Sequence, residues 1–201
     1  MNVAIIDYGA GNVPSVATAL HRLGVEATTT SDAAELAHAD RLILPGVGHC
    51  AALIHALDAQ GIRKPLVDAI SRGVPFLGIC LGLQALYEAS DEAPDLAGLG
   101  LFKGSVTHLP ANVKLPHMGW NQLQPIRTSV LLQNIPSESY FYFAHTFAAP
   151  SAGPESAAVC KHGRDFVAVL EHENIFGVQF HPEKSGAPGA KLLENFLRQA
   201  A

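Results

Sequence analysis

Three stretches of the 201-residue chain share one pattern: a short apolar run, a glycine-containing turn, and then apolar residues at helical spacing. The runs lie at residues 3–7, 41–44 and 74–79, and the helical segments at 13–23, 51–57 with 65–71, and from 81 through 87. Strands that are apolar throughout and alternate with helices are typical of a parallel sheet covered on both faces. The pattern therefore predicts an α/β fold.

The second half of the chain follows a different pattern. Strand-like runs at residues 141–147, 166–170 and 175–180 are separated by polar turns instead of long helices, and a helical segment at 191–200 closes the chain. This arrangement predicts an antiparallel extension of the sheet. Because strand patterns continue past the Pro- and Gly-containing loop at 150–154, we expect a single domain over residues 1–201.

Composition excludes several classes of protein. With 48% hydrophobic and 15% charged residues, the chain is expected to bury a large core and not to be disordered. Its 13 basic and 18 acidic residues give a net charge of −5 without a basic block, so a general nucleic-acid binder is not expected. No apolar run approaches the roughly 20 residues of a membrane span, and the N-terminal segment lacks a basic leader. We therefore expect a soluble, cytoplasmic protein without a membrane partner.

Two weaker patterns do not support a dinucleotide cofactor or a metal ion. The turn at residues 9–11 begins like a dinucleotide-binding motif, but Pro14 stands where the third glycine would be, which favours an ordinary tight turn. The ten histidines show no metal-ligand spacing, so no metal site is expected. Three widely separated cysteines, Cys50, Cys80 and Cys160, support reduced thiols and no disulfide framework.

A stronger pattern surrounds Cys80. Residues 78–82, Gly-Ile-Cys-Leu-Gly, stand between an apolar strand and a helical segment and match a nucleophile elbow with cysteine in place of serine. The expected helix start would favour the thiolate, and the N–H of Leu81 would be one oxyanion donor. A buried cysteine that acts only as a small apolar residue fits this segment equally well.

A candidate base lies at the end of the 175–180 strand. His181 follows that strand at its carboxyl end, where α/β folds place their sites, and Glu183 lies two residues on. In an extended segment these two side chains would face the same way, with Pro182 stiffening the chain between them. The two residues would supply the base and its orienting partner to a Cys80 nucleophile. The Gly46-Val47-Gly48 turn, which also follows a strand, would add backbone N–H groups for an oxyanion.

These segments, PGVG, GICLGLQ and FHPEKS, resemble those of class I glutamine amidotransferases. The opening IDYGAGN, the PHMGWN stretch at 116–121 and YFYFAHTF at 140–147 are similar, within that family, to the glutaminase subunits of imidazole glycerol phosphate synthases in histidine biosynthesis. The resemblance runs from about Asn2 to Phe196. With the strand pattern, it predicts a flavodoxin-like, three-layer α/β fold whose mostly parallel sheet has an antiparallel extension in the C-terminal half.

The resemblance implies a function and a set of site residues. The activity would be hydrolysis of L-glutamine to glutamate and ammonia, with Cys80 as the nucleophile, His181 as the acid/base and Glu183 as its partner. The substrate and its oxyanion would contact Gly46, Val47, Gly48, Leu81, Gln84, His145, Thr146 and Phe147. No metal or organic cofactor would be required.

The resemblance also implies a partner. The ammonia would pass to a separate (β/α)₈-barrel cyclase subunit, with which the chain would form a heterodimer. The residues expected near that subunit are Asn12, Met118, Trp120, Asn121, Tyr140 and Lys184. For Trp120 and Tyr140, ordinary core packing is the alternative.

Three other functions share part of this sequence pattern. The same chemistry could serve anthranilate, aminodeoxychorismate or guanylate synthesis, but the PHMGWN stretch argues against these. A non-catalytic, glutamine-binding regulatory module is disfavoured by the intact Cys80, His181 and Glu183. A carboxylester hydrolase with the same elbow is disfavoured because its acid normally precedes its histidine in the chain.

Overall fold

The computed structural model describes residues 1–151 and 153–199. Its strands are β1 Val3–Ile6, β2 Ala27–Thr30, β3 Arg41–Gly46, β4 Phe76–Cys80, β5 Tyr87–Ser90, β6 Phe102–His108, β7 His117–Gln122, β8 Gln124–Pro125, β9 Tyr140–His145, β10 Phe147–Ala148, β11 Ser156–His162, β12 Arg164–His172 and β13 Ile175–Val178. Its α-helices are α1 Val13–Arg22, α2 Ala33–Ala37, α3 Cys50–Ala59, α4 Arg63–Ser71, α5 Leu81–Gln84 and α6 Gly186–Leu197, and a short 3-10 helix spans Pro182–Lys184.

An eight-stranded sheet in the order β2-β1-β3-β4-β13-β12-β11-β8 forms the centre of the fold. The five strands from β2 to β13 pair in parallel, and β12, β11 and β8 continue the sheet antiparallel. Two smaller sheets, β10-β6-β5 and the ribbon β7-β9, accompany it. The predicted fold class, a mostly parallel α/β sheet with an antiparallel extension in the C-terminal half, is confirmed.

Both faces of the sheet are buried, as its apolar strands require. Along β3, Leu42 and Leu44 belong to a core cluster that includes Leu53 of α3, whereas Ile43 between them belongs to the opposite cluster. That second cluster contains residues of α1 and α6, including Phe196. Alternate residues of a strand point to opposite faces, so one continuous apolar run supplies two cores. The result is the expected three-layer arrangement.

The structure corrects one predicted element close to the site. The helix expected to run from residue 81 through 87 is a single turn, α5, and the chain enters β5 at Tyr87. Leu83, Ala85, Leu86 and Tyr87 are all buried, so their apolar pattern has no polar face that separates helix from strand. The end of the helix predicted at Ala200 lies outside the described residues, and α6 ends at Leu197.

No helix within residues 1–151 and 153–199 has the length and apolar character needed to cross a membrane.

Candidate active site

Cys80 stands on a sharp turn between β4 and α5. Its backbone has φ 55° and ψ −106°, in the left-handed half of the map that residues other than glycine rarely occupy. The turn depends on neighbouring glycines: a Cβ at Gly82 would lie 1.9 Å from the Leu44 oxygen, and one at Gly78 would lie 2.6 Å from the Gly82 oxygen. The predicted elbow therefore has the geometry that its glycine pattern indicates.

The helix after the elbow is shorter than the sequence suggests. Because α5 is four residues long, few peptide dipoles align behind Cys80, and the expected effect of a long helix on the thiolate is reduced. The N–H groups of the first turn, including that of Leu81, still lack partners within the helix. An anion near Cys80 would therefore be stabilised by individual N–H groups of α5 more than by a helix dipole.

The parallel pairing of β13 with β4 brings His181 to the elbow. Val178 pairs with Ile79, so the residues that follow each strand lie at the same edge of the sheet. The His181 ring is 3% exposed, and its backbone N–H donates to the oxygen of Tyr142 in β9 at 2.8 Å. His181 is therefore fixed from two elements at once.

Glu183 contacts His181 through a 3-10 turn and not through an extended segment. The Nδ1 atom of His181 lies 2.8 Å from Oε1 of Glu183, whose side chain is fully buried. Pro182 occupies the first position of the 3-10 helix, where its fixed φ is favourable and its missing N–H costs nothing. The predicted contact is present, but the extended geometry predicted for residues 181–183 is wrong.

Charge interactions and hydrogen bonds shift the pKa values of His181 and Glu183 in opposite directions. Burial by itself would lower the pKa of His181, but hydrogen bonding and attraction from Cys80 and Glu183 outweigh it and raise the pKa well above its usual value. Burial would raise the pKa of Glu183, but the hydrogen bond and charge of His181, with a hydrogen bond from Asn12, lower it. A protonated His181 ring paired with the Glu183 carboxylate is therefore the favoured state.

Asn12, expected near a partner, contacts this group directly. Its Nδ2 donates to Oε1 of Glu183 at 2.8 Å. Asparagine at a helix N-cap usually accepts from the first turn, but the Asn12 side chain makes no capping hydrogen bond to α1. The residue thus links the β1–α1 turn to the carboxylate, a role that its motif position did not indicate.

A cavity of about 340 Å³ opens beside Cys80 and His181. Its lining includes residues expected to bind substrate, namely Val47, Gly48, Leu81, Gln84, His145, Thr146 and Phe147. Gly46 is not part of this lining: a Cβ there would lie 2.6 Å from Cβ of Leu81, so this glycine allows β3 and the elbow to pack. Lys184, expected at the partner surface, also lines the cavity.

Two lining features were not predicted. Glu92 lines the cavity and its carboxylate accepts from the backbone N–H of Cys50 at 2.8 Å, yet no motif marks this residue. The N–H of Val47, an expected oxyanion donor, donates instead to the Tyr8 hydroxyl at 3.1 Å, and that hydroxyl also donates to the Val47 oxygen. In this conformation the N–H of Val47 is occupied, so an oxyanion would be bound by other N–H groups of the Gly46–Gly48 turn and of the elbow.

A neutral histidine, His145, lines the cavity and contacts a second one, His117. His145 Nδ1 donates to the oxygen of Phe147, so its Nε2 is an acceptor and receives a hydrogen bond from Nδ1 of His117 at 2.9 Å. Burial is the main cause that lowers the pKa of His145 to about 3 and that of His117 to about 4. Among the described residues no cluster of His, Cys, Asp and Glu has a geometry suited to a metal ion.

Three of the six residues expected near a partner lie on one face of the β7–β9 ribbon. Met118 and Trp120 alternate along β7, and Tyr140 pairs with Gln122 beside them; they are 65%, 56% and 53% exposed. Core packing of Trp120 and Tyr140 is therefore excluded in this chain. Asn121 points elsewhere, with Nδ2 near His117 Nε2 at 3.3 Å and donating to the Lys161 oxygen at 3.2 Å.

Comparison with known proteins agrees with this fold. Residues 4–200 match the family described as glutamine amidotransferase class-I. Two solved structures share the fold: one titled glutamine amidotransferase, with a TM-score of 0.77, 20% identity and coverage of 97% of this chain and 96% of its own, and PurLQS from Thermotoga maritima, with a TM-score of 0.75, 22% identity and coverage of 98% and 97%.

The chain belongs to the class I glutamine amidotransferase family. Within this family it is similar to imidazole glycerol phosphate synthase subunit HisH of Xanthomonas axonopodis pv. citri, at 47% identity over 99% of this chain and 98% of that protein. It is also similar to the HisH subunits of Desulfitobacterium hafniense, at 46% identity over 96% and 92%, and of Dehalococcoides mccartyi, at 41% over 98% and 97%.

Proposed function

We propose that the protein is the glutaminase subunit of an imidazole glycerol phosphate synthase in histidine biosynthesis, and that residues 1–201 act as one domain. It would hydrolyse L-glutamine and supply the ammonia to a cyclase subunit. The observation that carries the proposal is the buried His181–Glu183 pair beside Cys80 on a strained elbow, at the edge of a cavity lined by backbone turns. The near full-length similarity to HisH subunits supports the choice of pathway.

In the proposed mechanism the thiolate of Cys80 attacks the amide carbon of glutamine. The developing oxyanion is held by N–H groups of the Gly48 turn and of Leu81. The His181 imidazolium gives its proton to the departing ammonia, which leaves a thioester on Cys80. His181 then takes a proton from water as the water attacks the thioester, and glutamate departs as the thiolate forms again. Glu183 keeps the ring oriented through Nδ1 and stabilises its positive charge.

The cavity also suggests how glutamine is selected. The α-ammonium group of the substrate requires an anionic partner, and Glu92 supplies a carboxylate in the lining. Lys184 is a cation in the same lining and suits the α-carboxylate. A substrate held at its α-carbon by these charges would place its side-chain amide toward Cys80.

The partner surface we propose is the exposed face of the β7–β9 ribbon, with Met118, Trp120 and Tyr140. An apolar, aromatic patch of this kind is typical of an interaction site. The same face of the ribbon includes Tyr142 and Ala144 of β9, and Ala144 lines the cavity. The proposed occupant is the (β/α)₈-barrel cyclase subunit, which would cover the cavity side and receive the ammonia.

Reconstitution with a purified cyclase subunit tests this function. The complex, supplied with glutamine and the nucleotide substrate of the cyclase, should release glutamate and form imidazole glycerol phosphate in equal amounts. The lone chain and the lone cyclase with glutamine are the controls. Stable association with a subunit for anthranilate or guanylate synthesis, with no cyclase coupling, would overturn the choice of pathway while leaving the chemistry intact.

A further inference from the structure

The side chain of Gln179 is a fully buried amide beside the nucleophile Cys80. The proposed mechanism gives this amide no role. Because Val178 of β13 pairs with Ile79 of β4, the next residues along the two strands, Gln179 and Cys80, are neighbours. The Nε2 atom of Gln179 lies 3.6 Å from Sγ of Cys80, a distance suited to an N–H···S hydrogen bond. No sequence pattern indicates this contact, because Gln179 lies within the 175–180 run whose pattern predicts a strand.

The surroundings fix which end of the Gln179 amide faces the sulfur. The oxygen of Phe147 can only accept, and Nε2 of Gln84 donates to it at 2.7 Å. The same Nε2 donates to Gln179 at 3.0 Å, so the atom that receives this hydrogen bond is Oε1. Gln179 therefore presents its nitrogen, and not its oxygen, to Cys80.

We propose that Gln179 is a positioning residue that donates a hydrogen bond to Sγ of Cys80, with Gln84 as the residue that holds the amide in the donating orientation. This inference rests on the proposed function and adds a role to the reaction. A donor favours the sulfur when it carries negative charge, and a hydrogen bond to a charged group is stronger than one to a neutral group. A reversed amide would instead place an oxygen against the thiolate.

The same contact restrains the direction of attack. The backbone of Cys80 is held by the elbow, so the position of Sγ depends on one side-chain torsion. The Gln179 donor selects the torsion that keeps the sulfur beside both His181 and the cavity. Gln84, whose nitrogen is committed to Phe147 and Gln179, has only its oxygen left for the substrate. Its proposed substrate contact is thus limited to accepting a hydrogen bond.

Alkylation of Cys80 in the full-length chain tests the hydrogen bond directly. Iodoacetamide reacts with the thiolate, and the labelled peptide identifies the site by mass spectrometry. At pH 7 we expect Gln179→Met to react about tenfold more slowly than the wild type, since it removes one hydrogen bond to a charged group. Gln179→Glu, which has nearly the same shape, should react more slowly still. Both variants should approach the wild-type rate at high pH.

The matched control is Asn195→Leu. Asn195 is also a buried amide, and it donates to the oxygens of Leu131 and Gln133, away from Cys80. Its replacement should lower stability and leave the pH dependence of alkylation unchanged. A Gln179 variant with the wild-type alkylation profile, or a control variant with the same slowing, would show that Gln179 is only a satisfied buried amide. If Gln179→Met does not fold, the comparison is made with Gln179→Glu.

Kinetics of the assembled complex separate this inference from the proposed function. For the Gln179 variants we expect kcat with glutamine to fall about tenfold while KM changes less than about twofold, because the contact acts on the reacting sulfur. Ammonia-dependent synthesis should be unchanged. A raised KM at unchanged kcat would contradict the positioning role. A wild-type complex that releases no glutamate would overturn the proposed function, and the alkylation comparison would still decide the hydrogen bond.

Discussion

Two regions at the same edge of the fold differ in how much water they contact. The side chains of His181 and Glu183 are 3% and 0% exposed, whereas Met118, Trp120 and Tyr140 on the β7–β9 ribbon are more than half exposed. Burial strengthens the charge interactions of the first region, and exposure leaves the second region with an apolar surface to cover. The two regions share β9, since Tyr142 accepts from the His181 N–H.

The difference indicates two separate roles: the buried residues would catalyse the reaction, and the exposed ribbon face would bind the partner. Lys184 is also placed between them, with Nζ 5.8 Å from the centre of the Tyr142 ring. If the division holds, a change in one region should affect one activity and spare the other. Variants in each region test that separation.

Cys80→Ala should give the largest effect. Loss of the nucleophile is expected to lower glutamine-dependent synthesis by about 10⁴-fold or more, because the covalent route is closed. Synthesis from added ammonium salt by the same complex should stay within about twofold of wild type. Steady-state assays with the two nitrogen sources make the comparison. Equal loss of both activities would contradict the assignment of chemistry to this chain.

Glu183→Gln should follow, with kcat for glutamine lowered by roughly 10²- to 10⁴-fold. The variant keeps an oxygen for His181 and for Asn12 but removes the negative charge that stabilises the imidazolium. Glutamine KM should change little, because the carboxylate acts during proton transfer and not in binding. Asn12→Ala, which removes only the outer hydrogen bond, should cost less than Glu183→Gln. A large rise in KM at wild-type kcat would place Glu183 in substrate binding.

Trp120→Ala should act on the other region. Truncation of an exposed aromatic anchor typically costs about 2 kcal/mol of binding, so affinity for the cyclase subunit should fall roughly 30-fold. The rate of Cys80 alkylation in the lone chain should stay unchanged. Ile126→Ala is the matched control, since Ile126 is 54% exposed just after the edge strand β8. Titration calorimetry of the three chains measures the difference, and equal losses for both variants would argue against the ribbon face.

The charge pair in the buried region should also give a pH-dependent stability. The raised pKa of His181 means that its contribution is complete below about 6.5 and is lost as pH rises toward its folded value of about 10. The lowered pKa of Glu183 gives a contribution that is complete above about 4.5 and is lost as pH falls through its folded value. The free energy of unfolding of wild type relative to His181→Gln should therefore be largest between these limits and shrink by about 1 kcal/mol or more toward pH 10. Urea unfolding of both chains at several pH values measures it, and a difference independent of pH would contradict the pair.

The smallest effect concerns the backbone of Cys80. Glycine adopts a positive φ without the Cβ penalty, so Cys80→Gly should be more stable than Cys80→Ala by about 1 kcal/mol. Both variants lack the thiol, and the comparison therefore isolates the backbone. Thermal unfolding of the two chains supplies the measurement. Equal melting temperatures would mean that the elbow holds no strain at this residue.

Sequence patterns predicted the parallel strands and the triad residues for identifiable reasons. Buried parallel strands are apolar throughout, so β1, β3 and β4 were visible, and the glycines of the elbow mark a turn that tolerates no Cβ at Gly82. Residues 81–87 were misjudged because an apolar run without a polar face fits a strand as well as a helix. Glu92, Tyr8 and Gln179 act through contacts between distant segments, and no local spacing records such contacts.

The His145–His117 pair, of which His145 lines the cavity, determines how this side of the site responds to acid. Because burial lowers their pKa values to about 3 and about 4, His145 and His117 both stay neutral near pH 7 and through mild acidification. Mild acidification therefore adds no charge at this pair, although imidazoles are the side chains that usually respond first. The pair therefore keeps this part of the cavity lining uncharged, whereas the raised pKa of His181 keeps its ring protonated.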